Sequence, residues 1–285
     1  MSPEEIETIE IDLLLETLYR RYGYDFRCYS RPSIDRTIRA YLLRTQKQNA
    51  SSLIPELIHN RKMFDEFVRE FSITVSTMFR DPPGFQALYD HVFPWLRTHP
   101  FFRIWHAGCA TGEEVYSLAI LLKEANLYER ATIFATDFND HALETARRGV
   151  YRISRAQDFT KNYIATGGAR SFSDYYHAKG DYIVMDRDLR RRVTFANHNL
   201  VVDEVFSEVH LVLCRNVLIY FGPELQSRAL RLFNDSLVRG GFLCLGRSEG
   251  LPVTQQASFR RHPSLPLHIK NPNPTTIENL AAGSA

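Results

Sequence analysis

The residues best placed to do chemistry are Gly108-Cys109-Ala110-Thr111-Gly112-Glu113-Glu114 and, 25 positions past Gly112, the pair Thr136-Asp137. Apolar Phe101, Phe102, Ile104 and Trp105 lead into the first run as a short buried strand, and Glu113 onward reads as a helix. A strand, a glycine turn and a helix make a crevice at the carboxyl end of the strand, where glycines let the backbone approach a nucleotide-like ligand closely. The two glycines alone fit an ordinary strand-to-helix turn equally well, because Gly108-x-x-x-Gly112 is neither G-x-G-x-x-G nor a phosphate loop ending in Gly-Lys-Ser/Thr. Two features decide against that. Glu113 and Glu114 stand where a phosphate loop carries Lys and Ser/Thr, so a polyphosphate is repelled. The strand-like Ala131 to Ala135 ends in Thr136-Asp137, an acid placed to accept hydrogen bonds from ribose hydroxyls. Such a pocket suits a ribose and a cation. S-adenosylmethionine meets that description, with an adenosine, no phosphate, a positive sulfonium and an amine.

The elements around this turn alternate. A helix from Phe85 to Leu96 precedes the first strand, and helix Glu113 to Ala125, strand Ala131 to Ala135 and helix His141 to Arg148 follow. Strand, helix, strand implies a parallel sheet. The alternation breaks between Tyr151 and Arg192, where Lys179-Gly180-Asp181 between Tyr175-Tyr176-His177 and Tyr182-Ile183-Val184-Met185 predicts an antiparallel hairpin inserted at about 163–192. It resumes with strands Val193 to Ala196 and Val209 to Cys214, a helix from Glu224 to about Val238, and a strand at Gly241 to Leu245. Ahead of the sheet the pattern is helical. Ser2-Pro3-x-Glu5 forms a capping box, with Ile6, Ile9, Leu13 and Leu14 as the expected apolar stripe of a helix ending near Tyr22. Pro32 opens a second helix, Ser33 to about Gln46, with Ile34, Ile38, Tyr41 and Leu42 on one side and Arg36 and Arg39 on the other. Those arginines read from charge alone as a solvated face. Helices Ser52 to about Asn60 and Lys62 to about Phe71 complete a helical subdomain over 1–72. The segment 73–83, hydroxyl-rich and aromatic, ends in Arg80 and the boundary pair Pro82-Pro83; the sheet domain is expected over 84–270, with a frayed tail at 271–285.

Composition narrows the classes. With 285 residues, 44% of them hydrophobic, the chain can build one large domain or two modest ones, and a formal charge of +2 calls for neither nucleic acid nor membrane. Cys28, Cys109, Cys214 and Cys244 show no C-x-x-C spacing, which excludes a zinc knuckle and reads as thiols in a reducing cytoplasm. Ten histidines without H-E-x-x-H or comparable spacing predict no metal. The start is acidic where a signal peptide is basic, and no apolar run approaches 18 residues, so a cytoplasmic location is expected.

The run from Arg103 to Ala119, Ala135-Thr136-Asp137, Asn199-Leu200, and Cys214-Arg215-Asn216-Val217-Leu218-Ile219-Tyr220-Phe221 together resemble the chemotaxis receptor methyltransferases of the CheR type. Phe71 to Asp81 is similar to the segment that precedes their catalytic domain, and Gly246-Arg247-Ser248-Glu249 to their last motif. The resemblance implies an α/β, Rossmann-like S-adenosylmethionine-dependent methyltransferase domain with a small antiparallel insert, preceded by an all-helical subdomain, and a protein-glutamate O-methyltransferase acting on cytoplasmic domains of chemoreceptors. Carried over position by position, it implies that Thr74, Ser76 and Arg80 line the cofactor pocket together with Gly108. Glu113 or Glu114 would sit near the methionine or ribose end, Asp137 at the ribose, Asn199 and Leu200 beside the adenine, and Asn216 and Val217 would close the site. Tyr220 and Arg80 would stand at the transferring methyl. Family members often carry Asn-x-Thr where this chain has Thr74-x-Ser76. The Arg36 and Arg39 face would dock on acidic receptor helices. In some relatives the insert captures a receptor's C-terminal peptide by strand addition; here Tyr182 to Met185 offers an edge, but Ala178-Lys179-Gly180-Asp181 is too short for a pocket-forming loop, so independence of such a tether is expected.

The chemistry agrees with what is missing. A glutamate carboxylate, with a reference pKa of about 4.3, is ionised at neutral pH and needs no general base, so neither a Ser-His-Asp set nor a carboxylate dyad is required. The competing readings are a methyltransferase for another protein or a small molecule, and a non-catalytic S-adenosylmethionine-binding module. The presence of both Arg80 and Tyr220 opposes the last.

Overall fold

The computed structural model describes residues 1–71, 76–262 and 265–271. The chain divides into two compact units, Met1–Ile73 with Ile219–Arg228, and Thr74–Leu218 with Ala229–Ala285.

The first unit is helical: α1 (Pro3–Tyr22), α2 (Arg31–Thr45), a 3-10 turn at Ala50–Leu53, α3 (Ile54–His59) and α4 (Arg61–Phe71). At the start of α1 the Ser2 hydroxyl accepts from the Glu5 backbone N–H at 3.2 Å while the Glu5 carboxylate accepts from that of Ser2 at 2.7 Å, so two otherwise orphaned donors are satisfied. Gly23, left-handed at φ 76°, ends the helix. The buried face of α1 is not the expected one. Ile6, Ile9 and Leu13 are 48%, 46% and 54% exposed, whereas Ile11, Leu14, Leu15 and Leu18 pack inward. α1 carries apolar residues on two opposite faces, and periodicity alone does not choose between them; contact with α3 and the 3-10 turn does. On α2, Ile34, Ile38 and Tyr41 are buried and Leu42 half-buried, while Arg36 and Arg39 are exposed. Leu14, Leu18, Ile38, Leu53, Leu57, Phe64 and Phe67 are fully buried, each contributing about 1.5–3 kcal/mol.

The second unit opens with a helical run, α5 (Pro82–Ala87), a π turn at Leu88–Val92 and α6 (Phe93–Leu96). β1 (Phe102–Ala107), α7 (Glu113–Glu124), β2 (Ala131–Asp137) and α8 (Asp140–Arg148) follow. An inserted small sheet is made of β3 (Val150–Arg152), β4 (Tyr176–Lys179) and β5 (Tyr182–Met185), with α9 (Ala156–Ala165) between β3 and β4. β6 (Val193–Asn197), β7 (Val209–Cys214), α10 (Pro223–Ser236, counted in this unit from Ala229), β8 (Leu237–Leu245), β9 (Phe259–Arg261) and β10 (Leu267–Lys270) complete the order. The main sheet runs β6-β2-β1-β7-β8-β10-β9, parallel except at β10, which is antiparallel to β8 and β9. Strand order reverses between β1 and β7, which puts the crevice for a ligand at the carboxyl ends of those two strands. The register brings Ala107 beside Thr136 and Asp137 beside Asn197 at that edge.

The small sheet has order β3-β5-β4. Tyr182–Met185 is therefore its central strand, paired on both sides, and the edge expected there belongs to β4 instead. The sheet also starts at Val150, ahead of the hairpin. Three residues, Val150 to Arg152, pair with a strand some thirty positions later, a contact with no local sequence signal.

Candidate active site

The glycine turn is held from below by β2. The N–H groups of Gly108 and Cys109 both donate to the Thr136 carbonyl, at 2.8 and 2.9 Å, and the Ala110 N–H donates to Asp137 Oδ2 at 2.9 Å. Both glycines are required. Gly108 has φ 71°, and a Cβ there would lie 2.5 Å from Val217 Cγ2; Gly112 has φ 88°, and its Cβ would lie 2.7 Å from that of Ala146. Val217 thus packs directly over the turn. Cys109 is not a nucleophile: burial first, then the Asp137 charge, pushes its thiol well up, so it stays protonated.

Asp137 also accepts the Asn139 N–H at 2.9 Å on Oδ1. Burial pushes its carboxyl up, against the pull of the Asn139 and Ala110 N–H groups. Beside it the His198 N–H reaches the Asp137 carbonyl, which brings Asn199 and buried Leu200 to the same edge. The Asn199 side chain accepts the Val201 N–H at 3.0 Å, and its own N–H meets Asp203 Oδ2 at 2.7 Å, so it forms the local turn that asparagine favours.

Glu113 and Glu114 are buried, and each of their four oxygens already accepts a hydrogen bond. Glu113 pairs with Arg155 Nη1 at 2.7 Å and with the Thr111 hydroxyl at 2.6 Å; Glu114 pairs with Arg215 Nη1 at 3.0 Å and His106 Nε2 at 3.1 Å. Burial pushes the Glu114 carboxyl up, but Arg215, His106 and Arg80 outweigh it and hold the group below the usual carboxylate range. Each acid is therefore paired with an arginine of its own, which offsets the repulsion of a polyphosphate expected from their place after the glycine turn.

The segment before α5 is closely held. Phe79 and Asp81 have φ of 52° and 59°, so two residues with side chains sit in the left-handed region on either side of Arg80. The Ser76 carbonyl accepts from Arg155, the Met78 carbonyl from Asn162 at 3.0 Å, and the Arg80 carbonyl from Arg215 Nη2 at 3.0 Å. The Phe79 N–H donates to Ser117 Oγ at 2.8 Å, and its ring is fully buried. Thr74 lies outside the described residues.

After β7, Asn216 is left-handed at φ 61° and is secured by Glu249, whose carboxylate accepts three backbone N–H groups: Asn216 at 2.8 Å, Val217 at 2.9 Å and Gly246 at 2.6 Å. Tyr220 falls in the first unit, where its carbonyl accepts the Ser30 N–H at 2.8 Å. Arg36 makes no ion pair among the described residues, but Arg39 is bound by both oxygens of Glu7, each at 2.8 Å. Ser76, Arg80, Gly108, Glu113, Glu114, Asp137, Asn199, Leu200, Asn216 and Val217 thus all lie in the second unit. Arg155, Ser117, Arg215 and Glu249 were not singled out by sequence reasoning. The only signal for Ser117, Arg215 and Glu249 was their place inside the quoted motifs.

This is the sheet order, switch-point crevice and acid-tipped second strand of a nucleoside-binding methyltransferase domain. Residues 74–265 match the family described as CheR methyltransferase, SAM binding domain, and residues 9–72 its all-alpha domain. The chain is 48% identical to the methyltransferase Cher3 of Pseudomonas putida over 251 residues, 88% of this chain and 92% of that one. It is 30% identical to the chemotaxis protein methyltransferase of Listeria innocua, covering 86% and 92%, and 30% identical to that of Escherichia coli, covering 64% and 63%. The chain belongs to the CheR methyltransferase family and is an S-adenosylmethionine-dependent methyltransferase.

Proposed function

We propose that this enzyme methylates glutamate side chains on the cytoplasmic domains of chemoreceptors, forming methyl esters. The observation that carries this reading is the match of both parts of the chain to the CheR family, including relatives named as chemotaxis methyltransferases. The glycine turn supports the cofactor part of the reading: it brings backbone to the carboxyl end of β1 with no phosphate-binding Lys, and the Ala110 N–H fixes Asp137 beside it.

When bound, S-adenosylmethionine supplies an electrophilic methyl on a positive sulfonium. An ionised glutamate carboxylate would accept that methyl and leave a neutral thioether, so the protein's residues would have no proton to take up or release. The protein's task is in-line placement, worth roughly 7–11 kcal/mol of the barrier. In this reading Asp137 accepts from the ribose, Asn199 and Leu200 flank the adenine, Gly108, Asn216 and Val217 close over the cofactor, and Thr74 and Ser76 line the opposite side. Arg80 and Tyr220 orient the substrate carboxylate; a tight bidentate grip would dampen its nucleophilicity, so orientation rather than activation is Arg80's role. Glu113 and Glu114 act at one remove, through the arginines they hold. Arg36, with Arg39, meets the acidic receptor surface.

Among the described residues no helix is long and apolar enough to cross a membrane, and no three or more His, Cys, Asp and Glu side chains cluster as a metal site would need. Work in the cytoplasm without a metal is part of the same proposal. The test incubates receptor-bearing membranes with the enzyme and methyl-labelled cofactor. Base-labile label on the receptor band is expected; label elsewhere, or base-stable label, would move the substrate to another class.

A further inference from the structure

We propose that Arg155 and Arg215 are positioning residues that form a two-ended clamp on the segment bearing Arg80. The adjacent acids Glu113 and Glu114, at the first turn of α7, each hold one arginine, and each arginine passes its second nitrogen to that segment. Arg155 bridges Glu113 and the Ser76 carbonyl. Arg215 bridges Glu114, at 3.0 Å, and both the Arg80 carbonyl, at 3.0 Å, and Asp81 Oδ2, at 3.1 Å. Between these ends Ser117, one turn along α7, accepts the Phe79 N–H at 2.8 Å and donates to the Glu113 carbonyl at 2.8 Å. All three grips trace back to one helix.

The backbone between the grips explains why a clamp is needed. Positive φ at Phe79 and at Asp81 is a conformation that residues with a Cβ leave unless the surroundings fix it, and these two turns decide where the Arg80 side chain points. A guanidinium suits the task because its planar fork can meet a carboxylate with one nitrogen and a carbonyl with another, which an ammonium on a flexible stem cannot do in fixed geometry. The inference also ties the insert to the reacting end, since Arg155 lies at the start of α9, in the connection from β3 to β4.

This rests on the reading that Arg80 works at the reacting end. The test uses Arg155→Gln, because Arg155 is 38% exposed and Glu113 keeps the Thr111 hydroxyl when it is replaced, whereas Arg215 is 2% exposed and also carries Asp81. Arg155→Gln is expected to lower kcat at least about tenfold, since small misplacement at a reacting centre is costly, while the dissociation constant of S-adenosylhomocysteine stays within about threefold. Arg155→Lys is expected to fall between the two. In an Arg80→Ala background, adding Arg155→Gln should cost no further rate; an equal loss in both backgrounds would overturn the proposal, because Arg155 would then act elsewhere. Amide exchange across 76–81 should quicken in Arg155→Gln with the rest of the second unit unchanged, and exchange that does not quicken would also overturn it. If Arg80→Ala itself leaves methylation intact, the assignment of Arg80 fails and the positioning role with it, while the exchange result still reports whether the clamp exists.

Discussion

At Asp137 a carboxylate that accepts the Ala110, Asn139 and Phe138 N–H groups keeps a lone pair for a ribose hydroxyl, since it has about four acceptor sites in all. Hydrogen bonds to a charged acceptor are each worth about 1.5–3 kcal/mol. Asp137→Ala is therefore expected to weaken S-adenosylmethionine binding by roughly tenfold or more, read by calorimetry; tight binding of NAD or ATP would overturn the pocket assignment. Arg80→Ala and Tyr220→Phe belong to the other half of the reaction and should lower kcat far more than cofactor affinity. Loss of affinity equal to the loss of rate would remove them from the reacting end. At this scale the glycines and Asp137 were legible because each answers to a local need, a turn or a strand end. The partners of Glu113 and Glu114 were not, because Arg155 and Arg215 stand 42 and 101 positions away and only folding brings them there.

Among elements, α2 has charge to offer a partner but less than its sequence suggests. The Glu7 carboxylate on α1 holds Arg39, and Arg39 in turn keeps Glu7 below the usual carboxylate range through its hydrogen bond. Arg36 is exposed and makes no ion pair among the described residues. Arg36→Glu should consequently raise the KM for receptor more than Arg39→Glu does, with the effect shrinking as salt screens it; equal rates for all three proteins at low salt would return α2 to a solvated face. The insert presents β4 as an edge, but β4 and β5 are joined through Gly180 and Asp181 alone, which leaves no loop to form side-chain pockets. A receptor truncated at its C-terminus should be methylated about as fast as the intact one, and measurable binding of the free tail peptide to the enzyme would contradict this. Helix existence was legible throughout because the caps are written in sequence, Ser2-Pro3-x-Glu5 being the clearest. The buried face of α1 and the central place of β5 were not, since both depend on which neighbour arrives.

For the molecule as a whole, stability should fall on the acid side. His268 on β10 is buried, and burial, reinforced by the Arg261 charge, pushes its pKa down to about 4. The unfolded chain then binds the proton from about pH 6.5 downward while the folded one resists it to about 4, so stability declines with falling pH across that window. Thermal melts should show a flatter decline between pH 6.5 and 4 for His268→Gln than for the parent chain; parallel curves would mean that His268 is not buried neutral. Taken by itself, the sequence determined the alternation of strand and helix, the two-part organisation, the glycine turn with the acid that ends the second strand, and the family, because short-range sterics, capping and hydrophobic period act within a few residues of one another. Tertiary structure alone decided that the two glutamates of the turn are occupied by arginines, that Arg80 sits between two left-handed residues, that Glu249 staples the loop of Asn216 and Val217, and that the insert's strand order buries β5. Each of these is a contact between residues distant along the chain, and such a contact exists only when the sheet order has set which strand ends and helix starts converge.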